Sequence, residues 1–306
     1  MAFSASEAAF EGFRLARRSP MTILIWAVLI ALYMGAYFSV FAPMFMTIIG
    51  AAQEGREVTE SEMMNVMGGS IGLMALFYPL SFVFTGVTLA AVNRAIVRPA
   101  ESAFGYLRLG MDELRVFVVY FALSLLAVIV FIIPYFLVIA LVAGVGVALG
   151  EQNAGITAIV GILAVLAFVA AVVFVVVRFS LAMPIVVAER RFAFFDSWGM
   201  TKGHFWGLLG MFLLAFVMSI VVSLLISIVA LPILWFALGG FDNIANLASW
   251  EWADYAPAAI TALVVYSLLT ALQMAILYTP AAAAYLEIKA ERGGGGTPVT
   301  AADPAI

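Results

Sequence analysis

Long apolar runs separated by short charged segments dominate the chain. Six of them, residues 21–49, 66–92, 116–149, 154–177, 205–238 and 256–285, are rich in Leu, Val, Ile, Ala and Phe. Each exceeds the roughly 20 residues that a helix needs to cross the hydrocarbon of a bilayer. None alternates apolar and polar positions at period 2, so the pattern argues against a β-barrel. Hydrocarbon offers no partner to an open backbone group, and helices are the remaining way across. The pattern therefore predicts an all-α, polytopic membrane protein with six transmembrane helices, arranged as three hairpins each preceded by a short interfacial helix.

Composition agrees with that class. Of 306 residues, 66% are hydrophobic and only 10% charged, and the mean hydropathy of +1.16 lies beyond what a soluble domain carries. The first run is too long for the apolar region of a cleaved signal, and no small-residue cleavage site follows it. Arg17 and Arg18 before it superficially resemble a twin-arginine signal and are read as a topology anchor. The absence of cysteine excludes disulfides, thiolate catalysis and thiolate metal sites.

The net charge of −4 matters less than how charge is divided. Thirteen of the fourteen Lys and Arg residues fall in four alternate segments: before the first run, between the second and third, between the fourth and fifth, and after the sixth. The other connections hold only Arg56, among several acids. Basic residues gather on the cytoplasmic side, so both termini are expected there. Trp250, Trp252 and Tyr255 would then lie at the outer interface. The expected organisation is an N-terminal interfacial helix over 1–19, a six-helix domain over 20–292 and a Gly/Pro-rich disordered tail over 293–306.

The basic segments resemble one another at a period of about 90 residues. Phe10, Arg14, Leu15 and Ala16 match Phe104, Arg108, Leu109 and Gly110, and Gly110-Met111 matches Gly199-Met200. In the second copy Phe104, Leu107, Met111 and Leu114 recur at helical spacing, opposite Glu101, Arg108, Asp112 and Arg115. In the third, Phe192, Phe195 and Trp198 recur at spacing three, with Gly203 placed to end a helix. Residues 100–114 and 190–203 are thus expected to be short helices in the headgroup plane; an ordinary solvated loop is the alternative.

Residues 178–210 carry Arg178, Pro184 and Glu189, then Ser197-Trp198, Thr201, Gly203 and Phe205-Trp206. That spacing resembles the membrane domain of bacterial glycerophosphodiester phosphodiesterases and its stand-alone, YciC-like relatives. The resemblance implies a bacterial inner-membrane protein of unestablished role. The catalytic barrel attached in some members has no counterpart after the sixth run, where a short Gly-rich stretch follows.

Motifs for chemistry do not assemble. Gly68–Gly72 fits G-x-S-x-G only formally, because Ser70 lies in a predicted span and the sole histidine, His204, falls on the opposite side. The glycines of 144–150 follow no strand, which removes the nucleotide-loop reading. One histidine and no acidic cluster within a span leave no expected metal or cofactor.

What remains is a candidate cluster: Arg178, Pro184, Glu189, Arg190, Arg191, Ser197, Trp198 and Lys202, with Asn93 and Arg94 at the comparable end of the second run. The 24 residues from Ala154 to Val177 rise about 36 Å, which brings Arg178 to the inner headgroups. It is either a snorkelling anchor or, beside a helix break at Pro184, part of a pocket for a lipid phosphate. Gln273 is read as an interhelical hydrogen bond. These features point to a non-enzymatic membrane protein engaging anionic phospholipid or supporting the envelope, with no nucleic-acid partner. A small-molecule transporter or an assembly scaffold is the alternative.

Overall fold

A computed structural model describes residues 3–237 and 252–293, and all the regular structure among them is helical. The chain is an all-α, multipass membrane protein: six of its helices are long and apolar enough to cross a bilayer. Two short helices, α1 (Ala5–Ala9) and α2 (Glu11–Arg18), lead into α3 (Pro20–Gln53) and α4 (Glu60–Val97). One 3-10 turn (Ala103–Tyr106) precedes α5 (Met111–Leu149), and a second (Glu151–Asn153) joins it to α6 (Ala154–Phe179). Then come α7 (Ala182–Glu189), α8 (Asp196–Met200), α9 (Phe205–Ala237) and α10 (Trp252–Arg292). The side chains of Trp250, Trp252 and Tyr255, and the tail beyond residue 293, lie outside the described residues.

The long helices outrun their apolar cores because local signals set their ends. Pro20 opens α3 at a position where a missing N–H costs nothing. Thr59 and Glu62 form a reciprocal capping box at the start of α4, which begins six residues before the apolar run. Gly150, at φ 71°, ends α5. Pro43, Pro79, Pro134, Pro232, Pro257 and Pro280 all sit inside continuous helices, which transmembrane helices tolerate when neighbours supply the lost partners.

α10 is the central element, packed against α2, α3, α4 and α9, while α5 and α6 form a more peripheral hairpin. The most apolar stretches of α5 and α6 contain no buried residue, as expected of surfaces that meet lipid. Buried side chains concentrate instead around Ala90–Ile96, Val116–Val119, Leu181–Val187, Leu208–Ala215 and Ala275–Ile288. Within the bundle, Gln273 donates to Ser223 Oγ at 2.6 Å, the expected interhelical bond. Gln273→Leu should cost only about 0.6 kcal/mol, the mean for such bonds in membranes; a drop of several kcal/mol in a detergent unfolding titration would contradict this.

The four basic segments meet at one end of the bundle. Arg18 reaches the Ala95 carbonyl, Arg98 the Val187 carbonyl, Arg190 the Glu101 carboxylate and Arg292 the Gly199 carbonyl. Ser4 N–H donates to Glu287. Such cross-contacts require an even number of crossings between successive basic segments, as six spans provide.

The short helices differ from the periodicity. Residues 100–114 do not form one helix: positions 104–106 all have positive φ, and α5 starts at Met111. The apolar face read there is open, with Phe104 83% and Leu109 85% exposed. Within 190–203 only α8 is helical. Arg190, at φ 52°, ends α7, and Gly203, at φ 90°, breaks the chain before α9 as expected. The short helix packed hardest against the bundle is α7, whose Ala182, Pro184, Ile185, Val186 and Val187 are buried against α4, α5 and α10. Its uniform apolarity gave no amphipathic signal.

Candidate anion site at the broken end of the fourth span

α6 does not break at Pro184. It ends at Phe179, two turn residues follow, and Pro184 lies in the first turn of α7. A proline ring collides with the carbonyl four residues earlier, here that of Ser180, which places the interruption upstream. Inside α7 its missing N–H is one that a helix start leaves unbonded in any case.

The exposed backbone at this break is taken up by one side chain. Ser197 Oγ donates to the Arg178 carbonyl at 2.7 Å and accepts from the Leu181 N–H at 3.1 Å. Ser197 is itself fully buried, so α8 is fastened to the open end of α6. Ser197→Ala would leave both groups without that partner, at about 1–2 kcal/mol. A melting temperature equal to wild type would show that water replaces the hydroxyl.

Fastening α8 there builds the surroundings of Arg178. Its guanidinium carbon lies 5.0 Å from the Phe174 ring centroid and 5.5 Å from that of Trp198, within cation–π range. Nη1 donates to Thr201 Oγ1 at 3.4 Å, and the hydroxyl in turn donates to the Trp198 carbonyl at 3.3 Å. Nε is buried and has no hydrogen-bond partner among the described residues. The ring contacts continue from Trp198 to Phe179 and Phe195, and from Phe174 to Phe205 and Trp206. Phe195, Trp198 and Trp206 are exposed, an aromatic rim of the kind found at a membrane–water interface.

Among the described residues no carboxylate pairs with Arg178. Glu189 accepts from Tyr285 at 3.1 Å, pairs with Lys289 at 3.1 Å and with Arg191 at 2.7 Å. Asp196 pairs with Arg191 at 2.5 Å. The hydrogen bonds Arg191 donates to Glu189 and then to Asp196 push it above its ordinary pKa. Two further cations share the segment without a carboxylate among the described residues. Lys202 is the exposed residue after Thr201. Arg292, on the last turn of α10, donates to the carbonyls of Gly199 and Met200 at 2.9 and 3.1 Å. Arg178, Lys202 and Arg292, none of them in an ion pair among the described residues, thus lie at or beside residues 199–202, with the His204–Glu291 pair at 3.3 Å beside them.

Asn93 and Arg94 lie elsewhere and face inward. Arg94 is 1% exposed; it donates to the Tyr106 carbonyl at 2.6 Å, forms a short ion pair with Glu113, and has Glu101 and Asp112 within 4 Å. Arg98, Arg108, Arg115 and Arg190 complete that network on Glu101 and Asp112. Asn93 donates to the Leu89 carbonyl within the core. A headgroup therefore has no access to either, and the comparable end of the second span is a structural joint.

Of the predicted cluster, Arg178, Ser197 and Trp198 come together, Lys202 is the exposed residue after Thr201, Pro184 organises the break, and Glu189 and Arg191 form an adjoining salt-bridge group. Phe174, Thr201 and Arg292 were missed as site members. The i to i+4 spacing of Phe174 and Arg178 on one helix was the available signal. No family model, curated protein or solved structure matches this chain.

Proposed function

We propose that the chain is a non-enzymatic bacterial inner-membrane protein, with both termini cytoplasmic, whose basic end engages anionic phospholipid headgroups at the α8 elbow. The carrying observation is Arg178, held against the Phe174 and Trp198 rings and hydrogen-bonded to Thr201, with no ion-pair partner among the described residues. A guanidinium so placed presents a planar donor edge suited to a phosphate. The contrast with the other arginines supports this: most are neutralised by acids of the chain itself. The 13-to-1 division of basic residues supports the orientation. The spacing of 178–206 resembles the phosphodiesterase membrane domain and its YciC-like relatives, a kinship in keeping with this location. A transport role finds less support, because the amides of Gln273 and Asn93 within the bundle are engaged by Ser223 and by the Leu89 carbonyl.

Native mass spectrometry of protein extracted from vesicles of mixed phosphatidylglycerol and phosphatidylethanolamine tests the proposal. Wild type is expected to retain phosphatidylglycerol preferentially, and Arg178→Leu to lose about tenfold in that retention, the scale of one charge-assisted hydrogen bond. Arg178→Lys should recover part of it. Equal retention by Arg178→Leu and wild type would reduce Arg178 to an anchor.

A further inference from the structure

α2 is an eight-residue helix with three arginines and one acid. Glu11 pairs with Arg14 at 3.2 Å and with Arg18 at 3.3 Å, while Arg17 is exposed and has no carboxylate partner among the described residues. Beside these charges, Phe13 and Ala16 form one wall of an apolar crevice of about 250 Å³, closed by Val222 and Leu225 of α9 and by Leu272 and Ile276 of α10.

The crevice is held open by contacts that neither wall can shorten. Gly12 lies so close to α10 that a Cβ there would stand 2.5 Å from the Ala275 oxygen and 2.6 Å from Ile276 Cα, so α2 has reached backbone contact. On the other side, the 2.6 Å bond from Gln273 to Ser223 sets the spacing of α9 and α10. Leu225 is 58% exposed, which opens the slot sideways to the surroundings of the bundle. A gap of this kind left empty forfeits the dispersion contacts of its lining, and the fluid that surrounds these helices is acyl chain.

We infer that this crevice holds one acyl chain of an anionic phospholipid whose headgroup sits against the arginines of α2. The apolar lining selects a chain, and Arg17, the α2 arginine with no carboxylate partner among the described residues, selects an anionic headgroup over a zwitterionic one. This site is distinct from the elbow around α8 and does not depend on it.

The test uses the full chain in vesicles doped with phosphatidylglycerol bearing a diazirine in its acyl chain, or with phosphatidylcholine bearing the same chain. After irradiation, labelled peptides are mapped. Phosphatidylglycerol should label residues 13–16, 222–226 and 272–276, and phosphatidylcholine about fivefold less, the weight of one basic residue at an anionic surface. Arg17→Gln should reduce the phosphatidylglycerol labelling by a similar factor. Ala16→Phe should fill the slot and abolish it, with unchanged labelling of α5 and α6 showing that the variant is folded. Arg178→Leu should leave the crevice labelling intact, which separates this inference from the elbow proposal. Equal labelling by the two lipids, labelling of α5 and α6 without the crevice, or cross-links between two copies there would each overturn it.

Discussion

Replacing Arg94 with methionine is expected to lower stability by about 3–5 kcal/mol, the largest effect of any single side chain in the bundle. Removing one member of a buried ion pair leaves the other charge enclosed and unanswered. Arg94 is 1% exposed and Glu113 6% exposed, so water can do little for the carboxylate left behind. A second loss adds to the first. The chain at 104–106 takes three successive left-handed conformations, two of them at Phe104 and Tyr106, where a side chain makes that unfavourable. This turn is held by two buried donors: Arg94 on the Tyr106 carbonyl at 2.6 Å and Trp26 Nε1 on the Gly105 carbonyl at 2.8 Å. Without Arg94 one of these is gone. The check is denaturant unfolding in detergent of Arg94→Met, Glu113→Leu and the double variant. The double variant should be clearly more stable than Arg94→Met, because it removes the stranded charge. A cost below about 1 kcal/mol for Arg94→Met would mean that the pair is hydrated and the joint is not what fixes α4 to α5.

The six spans were legible because hydrophobic length is a property of each segment alone. The elbow was legible only in part, because its geometry depends on which residue satisfies which backbone group across 20 positions. Ser197 stood in the candidate cluster, but nothing local indicates that its hydroxyl fills the break below Arg178. Pro184 signalled a break correctly but not its register, since the clash falls on the carbonyl four residues upstream. The repeat was a sound observation on letters that the fold uses differently. Leu15 is fully buried under α2, whereas its counterpart Leu109 is 85% exposed. Arg94 misled for a related reason. A lone arginine at the end of an apolar run looks the same in sequence whether a carboxylate lies 19 residues onward, as Glu113 does for Arg94, or none pairs with it among the described residues, as for Arg178.

Gly12→Val is expected to detach the N-terminal arm, at a cost of about 3 kcal/mol or more. Half of the described glycines have open space where a Cβ would go, among them Gly50, Gly68, Gly69 and Gly72. At Gly12 the new carbon would meet the Ala275 oxygen at 2.5 Å, Ile276 Cα at 2.6 Å and the Ala275 carbon at 2.7 Å, all of them backbone atoms of α10. No rotamer change relieves such a contact; one helix has to move. α10 is gripped by α3, α4 and α9, so the element that yields is α2. Lifting it exposes Leu15, now fully enclosed, and pulls on Ala8 and Ala9, each 1% exposed in α1. Gly12→Ala should show the same defect in milder form, while Gly69→Val, in open space on α4, serves as the control. Limited proteolysis at Arg14, Arg17 and Arg18 reads the outcome directly. Wild type and Gly69→Val should be cut slowly at these sites and Gly12→Val rapidly, with the remaining spans still resistant. If Gly12→Val were cut no faster than wild type, α2 would not be seated on α10, and the crevice beside it would lose its wall.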